Sequence, residues 1–233
     1  MSRYNVIGFP RSGTTYLRRA LQQAYNPEVC YDEPFWSDLN SNHYDLDTEY
    51  KEQSKKILTE LVNANSYVAK HHVGHLDYIK RIYPELADRL LTESTNLFIY
   101  RKNFFKRSLS EYLMTVGLSR DYSEKHTIDP ERFQSLCNQT FIDLLYAKQN
   151  YNINYEHKLV YEELPTEINS LIKYIGLPQP TARIIDEKPY QTQGLRSYIA
   201  NYDHLVVIAN VVRAEKIAEG WNISDDFLLD FHL

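Results

Sequence analysis

An α/β fold, with a parallel β-sheet and helices on both faces, is predicted by three features of this 233-residue chain. Short apolar runs of strand type alternate with amphipathic stretches of helical period, the pattern of strands joined by helical crossovers. The first run is followed by a glycine-containing turn that opens the first helix. The composition suits a buried core, with 43% hydrophobic residues and 24% charged. At this length, and without repeat, low-complexity tract or linker, residues 1–233 read as a single domain.

The elements follow in order. Tyr4 to Gly8 is a short strand of buried type. Thr14 to Tyr25 is a helix, with Leu17, Ala20, Leu21 and Ala24 at helical spacing and Pro27 ending it. Glu28 to Tyr31 reads as a second strand, residues 32–47 as loop, and Glu49 to Asn63 as a helix. A strand at Ser66–Ala69, helices over residues 75–93 and a strand at Asn96–Tyr100 come next. Helical stretches run from Phe104 to Leu118 and from Pro130 to Asn150. Lys158–Tyr161 is the last strand, and the helix Pro165–Ile175 stops at Gly176 and Pro178. The tail from Ser197 to Glu219 is helical.

Charge and composition narrow the function classes. A net charge of −5 provides no global basic field for nucleic acid, so any anion site must be a local gathering of Arg and Lys. The apolar run Leu205–Val212 is too short to span a bilayer, and no signal peptide is expected before the first motif. Cys30 and Cys137 lack metal-ligand spacing and fit a reducing, cytoplasmic setting. In parallel sheets ligands collect at the carboxyl ends of the strands, here the loops after residues 8, 31, 69, 100 and 161.

The first of these loops lies within NVIGFPRSGTTYL, Asn5 to Leu17. Gly8 and Gly13 are spaced as in G-x-x-x-x-G-K-[ST], but Thr14 stands where that motif has lysine, and Arg11 is the loop's cation. A strand–turn–helix still offers backbone N–H groups and a positive helix end to an anion. Without the lysine that reaches the β/γ-phosphates, a ligand with a shorter anionic tail and no metal fits better.

Pro10-Arg11-Ser12-Gly13-Thr14-Thr15 resembles the 5′-phosphosulfate loop of sulfotransferases that use 3′-phosphoadenosine 5′-phosphosulfate (PAPS). The resemblance implies a P-loop-NTPase-like sulfotransferase fold and a donor that needs no metal. It implies that Arg11 contacts the 5′-phosphate and the leaving oxygen, that Ser12, Gly13, Thr14 and Thr15 wrap the phosphate, and that Tyr16 lies near the adenine. Two further blocks agree in order and spacing. Leu97 to Arg101, followed by Lys102 to Ser110, is similar to the 3′-phosphate element, a strand-end Arg with a Ser on the next helix. That implies Arg101 with Ser110, favoured over Ser108, on the 3′-phosphate. The usual proline after the Arg is absent, and Lys106 and Arg107 also read as a solvated helix face. Val160-Tyr161-Glu162-Glu163-Leu164, with Tyr174-Ile175-Gly176-Leu177-Pro178, resembles the family's adenine-edge segment, which implies Tyr161 as the adenine contact. The family's late basic loop is matched only loosely by Lys188–Arg196, and that resemblance implies Lys188 or Arg196 as the residue closing over the 3′-phosphate.

Sulfuryl transfer needs a base for the acceptor hydroxyl and cations on the leaving side. Glu33, in Tyr31-Asp32-Glu33-Pro34-Phe35-Trp36, stands where carbohydrate-type sulfotransferases have their proposed base. Phe35 and Trp36 offer rings for a sugar or aromatic acceptor. His72, in Lys70-His71-His72, is similar to the base of the cytosolic branch, and Lys70 matches the lysine that approaches the sulfuryl oxygens. Glu33 is our preferred base, with His72 its rival or helper. His71, His72 and His75 lack the carboxylate pattern of a metal site, so no metal is expected. The expected partner is a carbohydrate or small-molecule acceptor, with neither nucleic acid nor membrane. A nucleotide or small-molecule kinase of the P-loop class and a catalytically inactive nucleotide-binding module are the competing readings. The absent loop lysine stands against the kinase, and Arg11, Lys70 and Arg101 stand against the inactive module.

Overall fold

The computed structural model describes residues 2–35, 48–118, 124–150, 158–164, 166–178 and 195–220. Five strands, β1 (Arg3–Gly8), β2 (Val29–Asp32), β3 (Tyr67–His72), β4 (Thr95–Tyr100) and β5 (Lys158–Val160), form one parallel sheet in the order β2-β3-β1-β4-β5. The helices are α1 (Thr14–Tyr25), α2 (Thr48–Asn63), α3 (Val73–Ile82), α4 (Pro84–Thr92), α5 (Phe104–Thr115), α6 (Pro130–Asn150), α7 (Thr166–Tyr174), α8 (Leu195–Tyr198) and α9 (Tyr202–Ala218). The chain is an α/β protein with an all-parallel sheet flanked by helices, as its alternating pattern predicts. It divides into two compact units, Met1–Tyr100 with Tyr155–Pro189 and Arg101–Asn154 with Tyr190–Leu233.

The first unit holds the sheet. Side chains alternate across a strand, so β1 sends Tyr4 and Val6 to one face and Asn5 and Ile7 to the other. Val6, Val68, Leu97, Ile99 and Leu159 make one apolar face with Leu17 and Leu21 of α1 and Ile168 and Ile172 of α7. Burying a Leu or Ile side chain there is worth about 1.5–3 kcal/mol. The opposite face carries α3 and α4, with α2 packed on α4. Helix α1 runs over the predicted residues and ends where Asn26, at φ 48, donates its N–H to the Gln22 carbonyl.

The second unit packs α5 and α9 against α6. Phe104 meets Phe141 at 5.0 Å between ring centres, and Phe105 meets Phe133 at 5.7 Å. Asp129 starts α6 by accepting the Glu131 and Arg132 N–H groups on its carboxylate at 3.0 and 3.3 Å.

Four expectations change. Strand β3 continues through His72 instead of ending at Ala69, because β1 pairs with it as far as His72 and β2 as far as Lys70. Tyr161 leaves the last strand and opens a 3-10 turn, Tyr161–Glu163. The C-terminal helix is interrupted, since Ile199 bridges to His126 and the Asn201 side chain clamps both backbone groups of Ile128. Arg107 is no solvated-face residue: it is buried and paired with Asp143 at 3.2 Å. Burial pulls its pKa down, while Glu111 and Asp143 oppose the shift.

Candidate functional site

The chain leaves β1 toward β2 and leaves β4 toward β5, in opposite directions across the sheet. The carboxyl ends of β1 and β4 therefore flank a topological switch point, where such sheets take ligands. The loop after β1 is tightly wound. Ser12 donates its N–H to the Phe9 carbonyl at 3.3 Å, and Arg11 and Gly13 adopt φ 64 and 85. A left-handed arginine is uncommon, whereas glycine reaches that region without strain. Gly13 is also required by contact, because a Cβ there would stand 2.6 Å from Cδ2 of Tyr161. At Gly8 a Cβ would stand 2.6 Å from the Ile99 carbonyl oxygen and 2.7 Å from Thr14 Cγ2. Both glycines of the motif thus serve close approach.

Helix α1 begins from this loop with Gly13 as its N-cap, no side-chain cap and no acid in its first turn. By contrast, α5 is capped by Asn103, and α2, α4 and α6 carry Glu49, Glu85 and Glu131 in their first turns. Among the described residues, Ser12 Oγ is buried with no hydrogen-bond partner. A positive helix end with an orphaned buried hydroxyl fits an anion such as a nucleotide phosphate.

The lysine absent from the loop arrives from another strand. Lys70, on β3 beside β1, donates from Nζ to Thr15 Oγ1 at 2.7 Å. The same ammonium pairs with Glu33 and, at 3.1 Å, with Asp32. His72 Nε2 lies 3.4 Å from Glu33 Oε1, which brings the two candidate bases together on one carboxylate oxygen. The register explains the convergence: Gly8 stands opposite His72 and Asp32 opposite Lys70, so the three strand ends present these side chains at one level. Glu33 follows β2 with its N–H on the Lys70 carbonyl at 3.1 Å and a left-handed φ of 55. A non-glycine residue held there marks local strain, which gathers at functional positions.

The remaining candidates are placed as follows. Thr14 is buried, Tyr16 packs half-buried against the apolar cluster under α1, and Tyr161 lies on the loop at Gly13. In the second unit, Arg101 is buried directly after β4 and Ser110 is buried on α5. Ser108 is buried too, its hydroxyl 3.0 Å from that of Thr140. Arg196 is on α8, 73% exposed and paired with Asp203 at 2.9 Å. Lys188 and Trp36 lie outside the described residues. Phe35 is a core residue, stacked on the His71 ring, and is no exposed platform for an acceptor.

Two groups escape the sequence reading. Arg18 of α1 lies 3.6 Å from Asp32 Oδ2 and donates to Cys30 Sγ at 3.2 Å, tying the helix to the end of β2. The (i, i+4) step from Thr14 to Arg18 is the only signal for it. The second is a buried polar network behind the site. Asn5, wholly buried, donates to the Leu90 carbonyl and to Asn96 Oδ1 at 3.0 and 2.9 Å. Its Oδ1 meets the Tyr67 hydroxyl at 3.1 Å and His71 Nε2 at 3.2 Å. A polar residue inside an apolar strand was the available cue.

No family model matches the chain, and no curated protein matches it. Among solved structures, the crystal structure of mouse sulfotransferase SULT7A1 complexed with PAP is similar, with a TM-score of 0.45 at 12% identity. The match covers 93% of this chain, which spans 64% of the length of that one. Among the described residues, no helix is long and apolar enough to cross a membrane, and no cluster of three or more His, Cys, Asp or Glu is placed to hold a metal ion.

Proposed function

We propose that the protein is a cytoplasmic, PAPS-dependent sulfotransferase acting on a hydroxyl, or an amine, of a carbohydrate or small molecule. The observation that carries this reading is Lys70 on Thr15: the neighbouring strand supplies a cation to the phosphate loop where a metal-dependent phosphoryl-transfer site would present a carboxylate. The orphaned Ser12 hydroxyl and the uncapped start of α1 support a phosphate on the loop. The three sequence blocks, in order, support the rest.

In this reading Arg11 and the N–H and hydroxyl groups of Ser12 to Thr15 hold the 5′-phosphate, and Tyr161 holds the adenine. Arg101 and Ser110 hold the 3′-phosphate, with Arg196 a further candidate. Bound, the donor supplies a sulfuryl group on a good leaving phosphate. Glu33 takes the proton of the acceptor hydroxyl at its carboxylate, and His72, 3.4 Å away, shares or relays it. Lys70 pairs with Glu33 and provides positive charge beside Thr15. Asp32, 45% exposed, remains as a second partner for the ammonium.

The test is calorimetric or thermal-shift titration with 3′-phosphoadenosine 5′-phosphate and with ADP, each with and without Mg²⁺. The 3′-phosphorylated nucleotide should bind at least about tenfold more tightly, a difference of about 1.4 kcal/mol, and do so without metal. Equal affinities, or a strict Mg²⁺ requirement, overturn the reading. Arg101→Ala should cost about tenfold or more for that nucleotide and leave a ligand without the 3′-phosphate unaffected. A sulfate-transfer screen over sugars, phenols, alcohols and peptides then identifies the acceptor.

A further inference from the structure

We propose that Asn5, His71 and Phe35 form a buried column that holds Glu33 in its strained position, making them positioning residues for the base. The inference rests on reading Glu33 as that base, and its structural half stands apart from it.

The column starts at Asn5 on β1. Its amide N–H groups go to Leu90 and Asn96, and its oxygen faces Tyr67 and His71, so the side chain is held on every hydrogen-bonding edge. Because Asn5 Oδ1 is an acceptor, His71 presents Nε2–H to it, and the ring orientation is set. Burial, and then His75, push the His71 pKa down to about 3, so the ring is neutral. Its Nδ1 is buried and has no hydrogen-bond partner among the described residues. The face of the ring stacks on Phe35, with ring centres 5.6 Å apart and planes at 12°.

Phe35 lies two residues beyond Glu33, with Pro34 between them. Its ring is held by His71, and its carbonyl accepts a hydrogen bond from Tyr50 OH. On the other side, the Glu33 N–H is bound to the Lys70 carbonyl. The Glu33 backbone is therefore fixed at both ends. A φ of 55 at a non-glycine residue persists only where its surroundings enforce it. The Lys70 contact alone fixes only the near end; the Phe35 stack fixes the far one. His71 thus acts on the opposite face of β3 from Lys70 and His72, through the turn and not through the charge cluster.

The test combines amide hydrogen exchange with kinetics on Phe35→Leu, which keeps an apolar side chain but removes the stack. A second variant, His71→Gln, keeps a donor for Asn5 and removes the ring. Exchange at the Glu33 amide should rise by about tenfold or more relative to Val6 and Val68, since local opening and global unfolding separate in such a ratio. Nucleotide affinity should stay within about twofold, while turnover of the acceptor found by the screen falls about tenfold. A uniform rise at all three amides, or no rise at Glu33, in either variant overturns the column. Selective loosening of Glu33 without loss of turnover keeps the column and removes Glu33 as base. If no acceptor is sulfated by the wild type, the exchange result still decides the column.

Discussion

His71 and His72 are adjacent on β3, yet they stand on opposite faces of the sheet and in opposite surroundings. His72 faces the α1 side, 3.4 Å from Glu33, which pairs with Lys70 and through it joins Asp32 and Thr15. His71 faces the α4 side, fully buried against Asn5 and Phe35. One cluster is charged and open to a ligand, whereas the other is neutral, and each hydrogen-bonding group of Asn5 within it has a partner. The difference teaches that one strand can carry a charged cluster on one face of the sheet and a neutral, packed one on the other.

The largest expected effect breaks the charged side. Glu33→Gln keeps shape and removes basicity, so turnover should fall by about 10²–10⁴ with nucleotide affinity nearly unchanged. Steady-state kinetics with nucleotide titration reads this out, and near-normal turnover would show that Glu33 is not the base.

The next breaks the neutral side. Asn5→Leu leaves the buried His71 N–H and the part-buried Asn96 Oδ1 without their partner, at about 1–3 kcal/mol for each group. Urea unfolding should show a loss of about 2–4 kcal/mol at pH 7 with unchanged slope. A loss under about 0.5 kcal/mol contradicts a tightly satisfied network.

The third uses pH to separate the two faces. His71 titrates at about 3 and His75 at about 4 in the folded protein, both lowered first by burial and then by His75 and Lys70 respectively. The unfolded chain takes up these protons near 6.5, about the ordinary imidazole value. Folded values lie below unfolded ones, so this stability is full above about 6.5 and is lost as pH falls toward 3. From pH 7 to 5, His71 alone should account for about 2 kcal/mol. Urea unfolding at pH 7, 6 and 5 should give a shallower decline in His71→Gln; identical slopes would contradict a buried neutral ring.

The smallest expected effect compares the neighbours directly. His72→Asn should reduce turnover by about tenfold, and combining it with Glu33→Gln should cost less than the product of the two, because both act at one carboxylate oxygen. Strict multiplicativity, or a larger loss for His72→Asn than for Glu33→Gln, would move the base to His72.

Much of the fold was legible because it follows from period and punctuation. Helix α1 matches its predicted limits, with Gly13 before it and Asn26-Pro27 after. Helix α6 matches as well, with Pro130 at its first position. Boundaries failed where pairing or burial decided them. Strand β3 gained Lys70 to His72 from its neighbours, whose hydrogen bonds no single segment encodes. Arg107 looked like a surface cation because charge in a sequence has no depth, and only the approach of α6 supplied Asp143 and burial. Ser110 was favoured over Ser108 from the motif alone; that Ser108 meets Thr140 of α6 was invisible there.

The sequence by itself determined the parallel α/β pattern and the glycine-turn-helix with its arginine. It also offered Glu33, Lys70 and His72 as candidates for proton and charge chemistry, because local period, turn residues and side-chain ionisation are properties of short segments. The tertiary structure decided which of them share atoms. Strand order and register set Lys70 on Thr15, put Glu33 on that ammonium and His72 beside Glu33, and sent His71 through to Asn5 and Phe35. Distances between residues far apart in the chain are fixed by packing, and hydrogen bonds and ion pairs act over only a few ångströms.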